Sequence, residues 1–155
     1  MFEILMFLFE NYMDNNAVLK IDNDALKVEL EKIGFNRYDI NRALLWLDGL
    51  IQFQNSVCDA PKLTTNAIRY YLPEESERLG VDGQGLLLYL EQIGVLDPLI
   101  RETVIDRIMA LNYKEIDIGR IKWVVLMILF NQPDRKTALN LMQDMVLADA
   151  FDVLH

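Results

Sequence analysis

The chain has 155 residues, of which 52% are hydrophobic, 25% charged and 10% aromatic, with seven glycines and four prolines. That apolar fraction supports a sizeable core and argues against disorder, collagen-like repeats and linker sequence. Fifteen basic against 24 acidic residues leave a formal charge of -9, which opposes non-specific attachment to phosphate backbones and anionic membranes.

In chain order, Phe2 to Tyr12 reads as a helix apolar nearly all round, and therefore largely buried. Asp14-Asn15-Asn16 breaks it, and Val18 to Ile21 is a short extended link. Asp22 stands as an N-cap before Leu26, Leu30 and Ile33 at helical spacing, and Gly34 sits at the C-cap. Asn36 caps the next helix, with Asp39 in its first turn and Ile40, Leu44, Leu47 and Ile51 on one face. From Leu50 to Leu72 the helical period fades. Ile51-Gln-Phe-Gln54 alternates, a polar turn holds Pro61, and Ala67 to Leu72 is rich in strand-forming residues, so a short β-hairpin is expected.

Helical patterning then returns over Pro73–Leu79, Gly83–Ile93, Pro98–Leu111, Ile118–Phe130 and Arg135–Leu147. Asp82, Asp97 and Asp117 stand at N-cap positions, Pro98 at N1 and Gly94 at a C-cap. Ile118 to Phe130 is apolar on several faces and is expected to be the central helix of a bundle.

The order helix, helix, Gly-turn, helix, hairpin predicts a mainly α protein. In it, a winged-helix-like unit over residues 1–72 is continuous with a helical bundle over 73–155. Leu30 to Asn36 would supply the tight turn, and Ala43 to Ile51 the run from recognition helix into wing. Residues 21–34 also match 81–94 at an offset of sixty, with Asp22/Asp82, Leu26/Leu86, Leu30/Leu90, Glu31/Glu91, Ile33/Ile93 and Gly34/Gly94 identical. A Leu-rich helix between an Asp N-cap and a Gly C-cap generates such matches without duplication.

Reactive residues are scarce. The single histidine, His155, is the last residue, and the single cysteine, Cys58, has no neighbouring base to lower its pKa. A triad would have to draw its imidazole from a frayed carboxyl terminus, Cys/His zinc sites and an internal disulfide are excluded by count, and a lone thiol fits a reducing compartment. Asp22-x-Asp24 opens like a calcium loop, but Lys27 stands where the glycine is required and no Glu closes it. Glu74, Glu75 and Glu77 follow Pro73 as a first helical turn facing the positive end of its dipole. Gly80 to Gly85 has neither a Walker lysine nor a preceding strand. No catalytic residue, cofactor or metal is expected. A carboxylate-metal enzyme survives only on the number of Asp and Glu. The longest apolar run, Trp123 to Phe130, has eight residues, far below the ~20 of a spanning helix. The amino terminus lacks a basic n-region, so a cytoplasmic protein with no membrane attachment is expected.

Five blocks in order along the whole chain resemble the Smg family of bacterial proteins, a domain of unknown function. They are Met1-Phe-Glu-Ile-Leu-Met-Phe-Leu-Phe-Glu10, Ala43-Leu-Leu-Trp-Leu47, Arg69-Tyr-Tyr-Leu-Pro-Glu-Glu75, Gly85-Leu-Leu-Leu-Tyr-Leu-Glu-Gln-Ile-Gly94 and Ile121-Lys-Trp-Val-Val-Leu-Met-Ile-Leu-Phe-Asn131. Leu72 departs from the pattern, standing where a Thr is expected before Pro-Glu-Glu, and it cannot accept an N-cap hydrogen bond. The resemblance implies a cytoplasmic bacterial protein without an assigned activity, whose gene lies near one for a DNA-processing protein.

A recognition helix over 36–48 would turn Arg37, Tyr38, Asn41, Arg42, Leu45 and Asp48 outward, with Arg37 and Arg42 for phosphates and Asn41 for adenine. Yet residues 21–53 carry four basic against six acidic side chains, a poor balance for a duplex reader. A near-neutral face with Tyr38 and Leu45 suits a protein partner better. Trp46, Phe53, Tyr70, Tyr71, Trp123 and the stripe Leu139, Met142, Met145 and Val146 add large apolar groups, although a core can absorb most of them. The expectation is a non-catalytic adaptor or regulator that binds another protein through Arg37, Tyr38, Asn41, Arg42 and Leu45. The alternative is a winged-helix DNA-binding regulator. Nothing in the sequence forbids a homodimer.

Overall fold

The structure is a computed structural model, and it describes residues 1–12, 23–57, 69–111, 113–130 and 136–153. The chain forms two compact units, Met1–Cys58 and Asp59–His155.

In the first unit α1 (Phe2–Tyr12), α2 (Asn23–Ile33) and α3 (Arg37–Val57) bury Phe2, Ile4, Leu5, Leu8, Leu26, Leu30, Ile40, Ala43, Trp46, Leu47 and Leu50. Gly34 has φ 112° and ends α2. The Phe35 N–H donates to the Leu30 carbonyl at 3.2 Å and the Gly34 N–H to the Glu31 carbonyl at 3.1 Å, which is a Schellman motif. Asn36 then caps α3, its Oδ1 accepting from the Tyr38 N–H at 2.9 Å. Phe7 of α1 meets Phe35 of this turn edge to face, with ring centroids 5.9 Å apart.

The expected hairpin and wing are not formed. Ile51 to Gln54, its proposed first strand, are the continuation of α3, and residues 69–72 lead into the next helix without pairing. There is no strand among the described residues, so the unit is a helical assembly and not a winged helix. The reason is periodicity. Leu44, Leu47 and Leu50 are buried at three-residue steps, and Ile51 and Phe53 are half-buried beyond them. A four-residue alternation therefore lies inside a continuing helical stripe, with no proline before Pro61 to stop it. The turn around Pro61, the first residues of the proposed second strand, the Asp22 cap, Cys58 and His155 lie outside the described residues.

The second unit holds α4 (Pro73–Gln92), α5 (Pro98–Ala110), α6 (Ile118–Phe130) and α7 (Lys136–Val153). The expected break between Leu79 and Gly83 is a kink rather than a loop. Gly80 lies at φ 67°, ψ 176°, a region almost confined to glycine, and the helix changes direction there. Gly94, at φ 83°, ends α4 with the same motif as Gly34: the Val95 N–H reaches the Leu90 carbonyl at 2.9 Å and the Gly94 N–H the Glu91 carbonyl at 3.2 Å. Leu30 and Leu90 thus occupy the same capping position, and both are fully buried. Capping geometry accounts for that part of the sixty-residue match. Asp97 caps α5 through the Ile100 N–H at 2.8 Å, and Asp117 accepts from the Arg120 N–H at 2.8 Å where α6 begins.

The Leu72 side chain has no acceptor to offer the start of α4, so only half of a capping box remains, with Glu75 Oε2 accepting from the Leu72 N–H at 3.1 Å. Pro73 at N1 begins the helix regardless. α6 is the centre of the unit: Ile121 and Val124 through Leu129 are all buried, and it packs against α4, α5 and α7. Gly83 permits the α4 approach, because a Cβ there would sit 2.8 Å from Ile121 Cδ1. Arg78 donates from Nη1 to the carbonyls of Met109 at 2.5 Å and Leu111 at 2.9 Å, while its own carbonyl accepts from the Ile116 N–H at 3.0 Å.

A candidate protein-docking groove on α2 and α3

The outer edge of α2 presents Asp24, Lys27, Val28 and Glu31 at i, i+3, i+4 and i+7, and the facing edge of α3 presents Arg37, Asn41 and Leu45 at four-residue steps. Between them lie two adjoining shallow hollows. One, of about 360 Å³, is lined by Asp24, Lys27, Val28, Glu31, Arg37 and Asn41. The other, of about 210 Å³, is lined by Asn23, Lys27, Asn41, Leu44, Leu45 and Asp48. Asn41 and Lys27 contribute to both.

Of the residues singled out on α3, Arg37, Asn41 and Leu45 line this groove, whereas Tyr38 and Arg42 stand beside it. Leu45 is 69% exposed and Tyr38 66% exposed. Arg37 Nε donates to Glu31 Oε1 at 2.8 Å, and that hydrogen bond holds the guanidinium pKa above its ordinary value. The Arg42 guanidinium lies 5.5 Å from the Tyr38 ring centroid, a cation–π contact. Each arginine assigned to phosphate in the DNA reading therefore has a partner within its own unit. Asn23, Lys27, Val28 and Glu31 were not singled out for this surface, although the i, i+3, i+4, i+7 series from Asp24 to Glu31 carries the signal.

Several of the large side chains weighed as docking groups are interior. Trp46 and Met142 are buried, and Phe53, Tyr71, Trp123, Leu139, Met145 and Val146 are half-buried, so the core takes up part of that apolar surplus. Tyr70, by contrast, is exposed.

A second assembly, in the other unit, is electrostatic. Arg69 donates to Glu75 (Nη1 to Oε2, 2.7 Å; Nη2 to Oε1, 3.1 Å) and to Glu102 (Nε to Oε1, 2.6 Å; Nη2 to Oε2, 3.1 Å). Arg101 holds both oxygens of Glu91 at 2.7 and 2.9 Å and reaches Glu102 at 3.3 Å. The Arg69 guanidinium also covers the Tyr71 ring at 4.8 Å. The bidentate bonds from Arg69 draw the Glu75 carboxyl below its ordinary pKa against the opposing effect of burial, and burial pushes the Tyr71 hydroxyl up. Carboxylates whose lone pairs are occupied by guanidinium are poor general acids and poor metal ligands. Consistently, no group of three or more His, Cys, Asp or Glu suited to a metal ion occurs among the described residues. Sequence spacing does not reveal this network, because Arg69 and Glu102 are 33 residues apart. It does give physical content to the block Arg69 to Glu75, whose two ends are bonded to each other. Among the described residues no helix is long and apolar enough to cross a membrane.

Comparison with known proteins places the chain. The family model described as "Protein of unknown function (DUF494)" matches residues 1–155. The chain is 43% identical over 157 residues to "Protein Smg" of Shigella boydii, covering 100% of both chains. It is 44% identical over 154 residues to "Protein Smg homolog" of Alkalilimnicola ehrlichii, covering 99% of this chain and 97% of the relative. It is also 40% identical over 153 residues to the Nitrosococcus oceani homolog, at 99% and 96% coverage. No solved structure matches. With a full-length family match and full-length relatives above 40% identity, the chain belongs to the Smg (DUF494) family of bacterial proteins.

Proposed function

We propose that this protein is a non-catalytic adaptor or regulator that binds another protein through the α2–α3 groove. The observation that carries the reading is the pairing of exposed Leu45 and Val28 with a rim of opposite charges, Asp24, Lys27, Glu31, Arg37 and Asp48, around hollows of side-chain size. Apolar anchors inside a mixed polar rim are the ordinary anatomy of a protein interface. A nucleic-acid reader would instead carry a surplus of cations toward phosphate, and here Arg37, although exposed, is paired with Glu31, and residues 21–53 carry four basic against six acidic side chains. A single histidine, at position 155, and a single cysteine with no neighbouring base in the sequence support the non-catalytic half of the reading.

The test is affinity purification of the tagged chain at native expression, with and without nuclease, for wild type and a Leu45→Asp/Val28→Asp variant. A stoichiometric protein that survives nuclease and is lost from the variant is the expected result. Partners that vanish with nuclease, or that the variant retains in full, would refute the proposal. Both substitutions are at exposed positions, so an unchanged circular dichroism melt separates lost docking from lost folding.

A further inference from the structure

The charged groups of the α2–α3 groove differ in whether they have partners. At one end Arg37 and Glu31 are bonded to each other. Lys27 and Asp48 line the same hollow of about 210 Å³, yet neither side chain makes an ion pair or a hydrogen bond among the described residues. Lys27 is half-buried and Asp48 exposed. Leu44, buried, and Leu45, exposed, supply the apolar part of that hollow. A projecting side chain and a hollow of side-chain size therefore lie together on one face, with one unpaired cation and one unpaired anion at the rim.

Such a face is complementary to itself. A two-fold axis normal to the face and midway between Lys27 and Asp48 exchanges the two positions. A second copy placed by that axis brings its Asp48 to Lys27 and its Lys27 to Asp48. The same operation sets Leu44 and Leu45 against their own copies, so that apolar groups meet apolar groups and each charge meets its opposite.

The charge of the whole molecule bears on how tight the contact is. Each chain carries -9, and repulsion between copies makes self-association weak and readily reversed. It also restricts where two copies can meet, because any face with unbalanced acids adds to the repulsion. In this hollow the two unpaired charges cancel.

We infer that a second copy of this chain covers the α2–α3 groove, with Leu45 of each copy seated in the other's hollow and two symmetric Lys27–Asp48 bridges beside it. A groove covered in this way is closed to any other protein, so self-association regulates the docking surface: a partner gains Leu45 only by displacing the copy. The inference rests on the adaptor reading for the surface it regulates.

Sedimentation of the purified full chain alone tests it, because no other protein is then available to fill the groove. Wild type is expected to pass from monomer to dimer as concentration rises. Lys27→Glu and Asp48→Lys each set two like-charge pairs across the axis and should weaken dimerisation roughly tenfold. An equimolar mixture of the two variants should regain it, since every carboxylate at positions 27 and 48 of one chain then faces an ammonium of the other. Mixing does not rescue a damaged fold, so the mixture separates a lost contact from lost folding. A wild type that stays monomeric throughout the titration, single variants that dimerise as wild type does, or a mixture no better than either variant alone would each overturn the inference. If it falls in one of these ways while a captured partner is still lost from the Leu45/Val28 variant, the adaptor reading stands. Dimerisation as expected with no partner captured at native expression would instead remove the adaptor reading alone.

Discussion

Replacing Arg69 by Met removes a guanidinium that bonds two carboxylates while keeping most of its apolar stem. The Arg69 and Glu75 side chains are 18% and 11% exposed, and Glu102 is 41% exposed. Breaking a fully buried pair costs about 3–5 kcal/mol, and losing a surface pair costs ~0–1 kcal/mol. Glu75 keeps its bond from the Leu72 N–H and Glu102 can turn to water, so the expected loss lies between these limits, at about 2–3 kcal/mol. In a chain of this size that is roughly 5–10 °C in the melting transition.

The pH dependence has a definite sign. Arg69 holds the folded Glu75 carboxyl below its unfolded value of about 4.3. Its contribution is therefore present above that pH and is lost as pH falls through the depressed folded value. The gap between wild type and Arg69→Met should be full at pH 7 and begin to shrink below about pH 4, closing as pH falls through the depressed folded value of Glu75. Urea unfolding followed by Trp123 fluorescence in a Trp46→Phe background isolates the second unit. A Trp123 transition unmoved by the substitution, or a gap of equal size at pH 7 and pH 3, would refute the reasoning.

Two glycines of one helix should respond with opposite signs. Gly83→Ala forces a Cβ to 2.8 Å from the buried Ile121 Cδ1 and should destabilise by about 1–2 kcal/mol, with Ile121→Val restoring part of the loss. Gly85→Ala meets nothing and should stabilise by about 0.5–1 kcal/mol in the same denaturant titration. Gly80→Ala should cost about 1–3 kcal/mol through its backbone alone, since φ 67°, ψ 176° is foreign to L-residues; a melting temperature equal to wild type would count against the kink.

Helix boundaries were legible at several positions where one residue both ends a pattern and satisfies a backbone group, although Asp82, expected as an N-cap, lies inside α4 just after the Gly80 kink. Asn36, Asp97 and Asp117 accept the amide hydrogen bonds that their positions implied, and Gly34 and Gly94 take the positive φ of a helix stop. The centrality of α6 was legible from its all-round hydrophobicity, which only a buried helix tolerates. The hairpin was misread because Ile51 to Gln54 satisfies a period of two and a period of 3.6 equally over four residues, and Leu47 and Leu50 decide for the helix. For the candidate groove, four-residue steps placed Arg37, Asn41 and Leu45 on one edge of α3. The facing edge of α2, the Arg37–Glu31 bond and the Arg42–Tyr38 stacking depend on how two helices meet, and spacing within one helix does not contain that. In the network around Arg69, the bond to Glu75 falls within one short block, but the bond to Glu102 spans 33 residues and has no local signature.

The stretch from Pro73 to the Gly80 kink is less than two helical turns, too short to persist by its own hydrogen bonds in water. Arg78 lends it permanence from elsewhere, gripping the Met109 and Leu111 carbonyls with its side chain and the Ile116 amide with its main chain. The dependence runs both ways, since the turn between α5 and α6 is closed by a residue more than thirty positions earlier. Amide exchange at Ile116 and over residues 76–79 should accordingly belong to one opening event, with two stretches distant in sequence fraying and closing together.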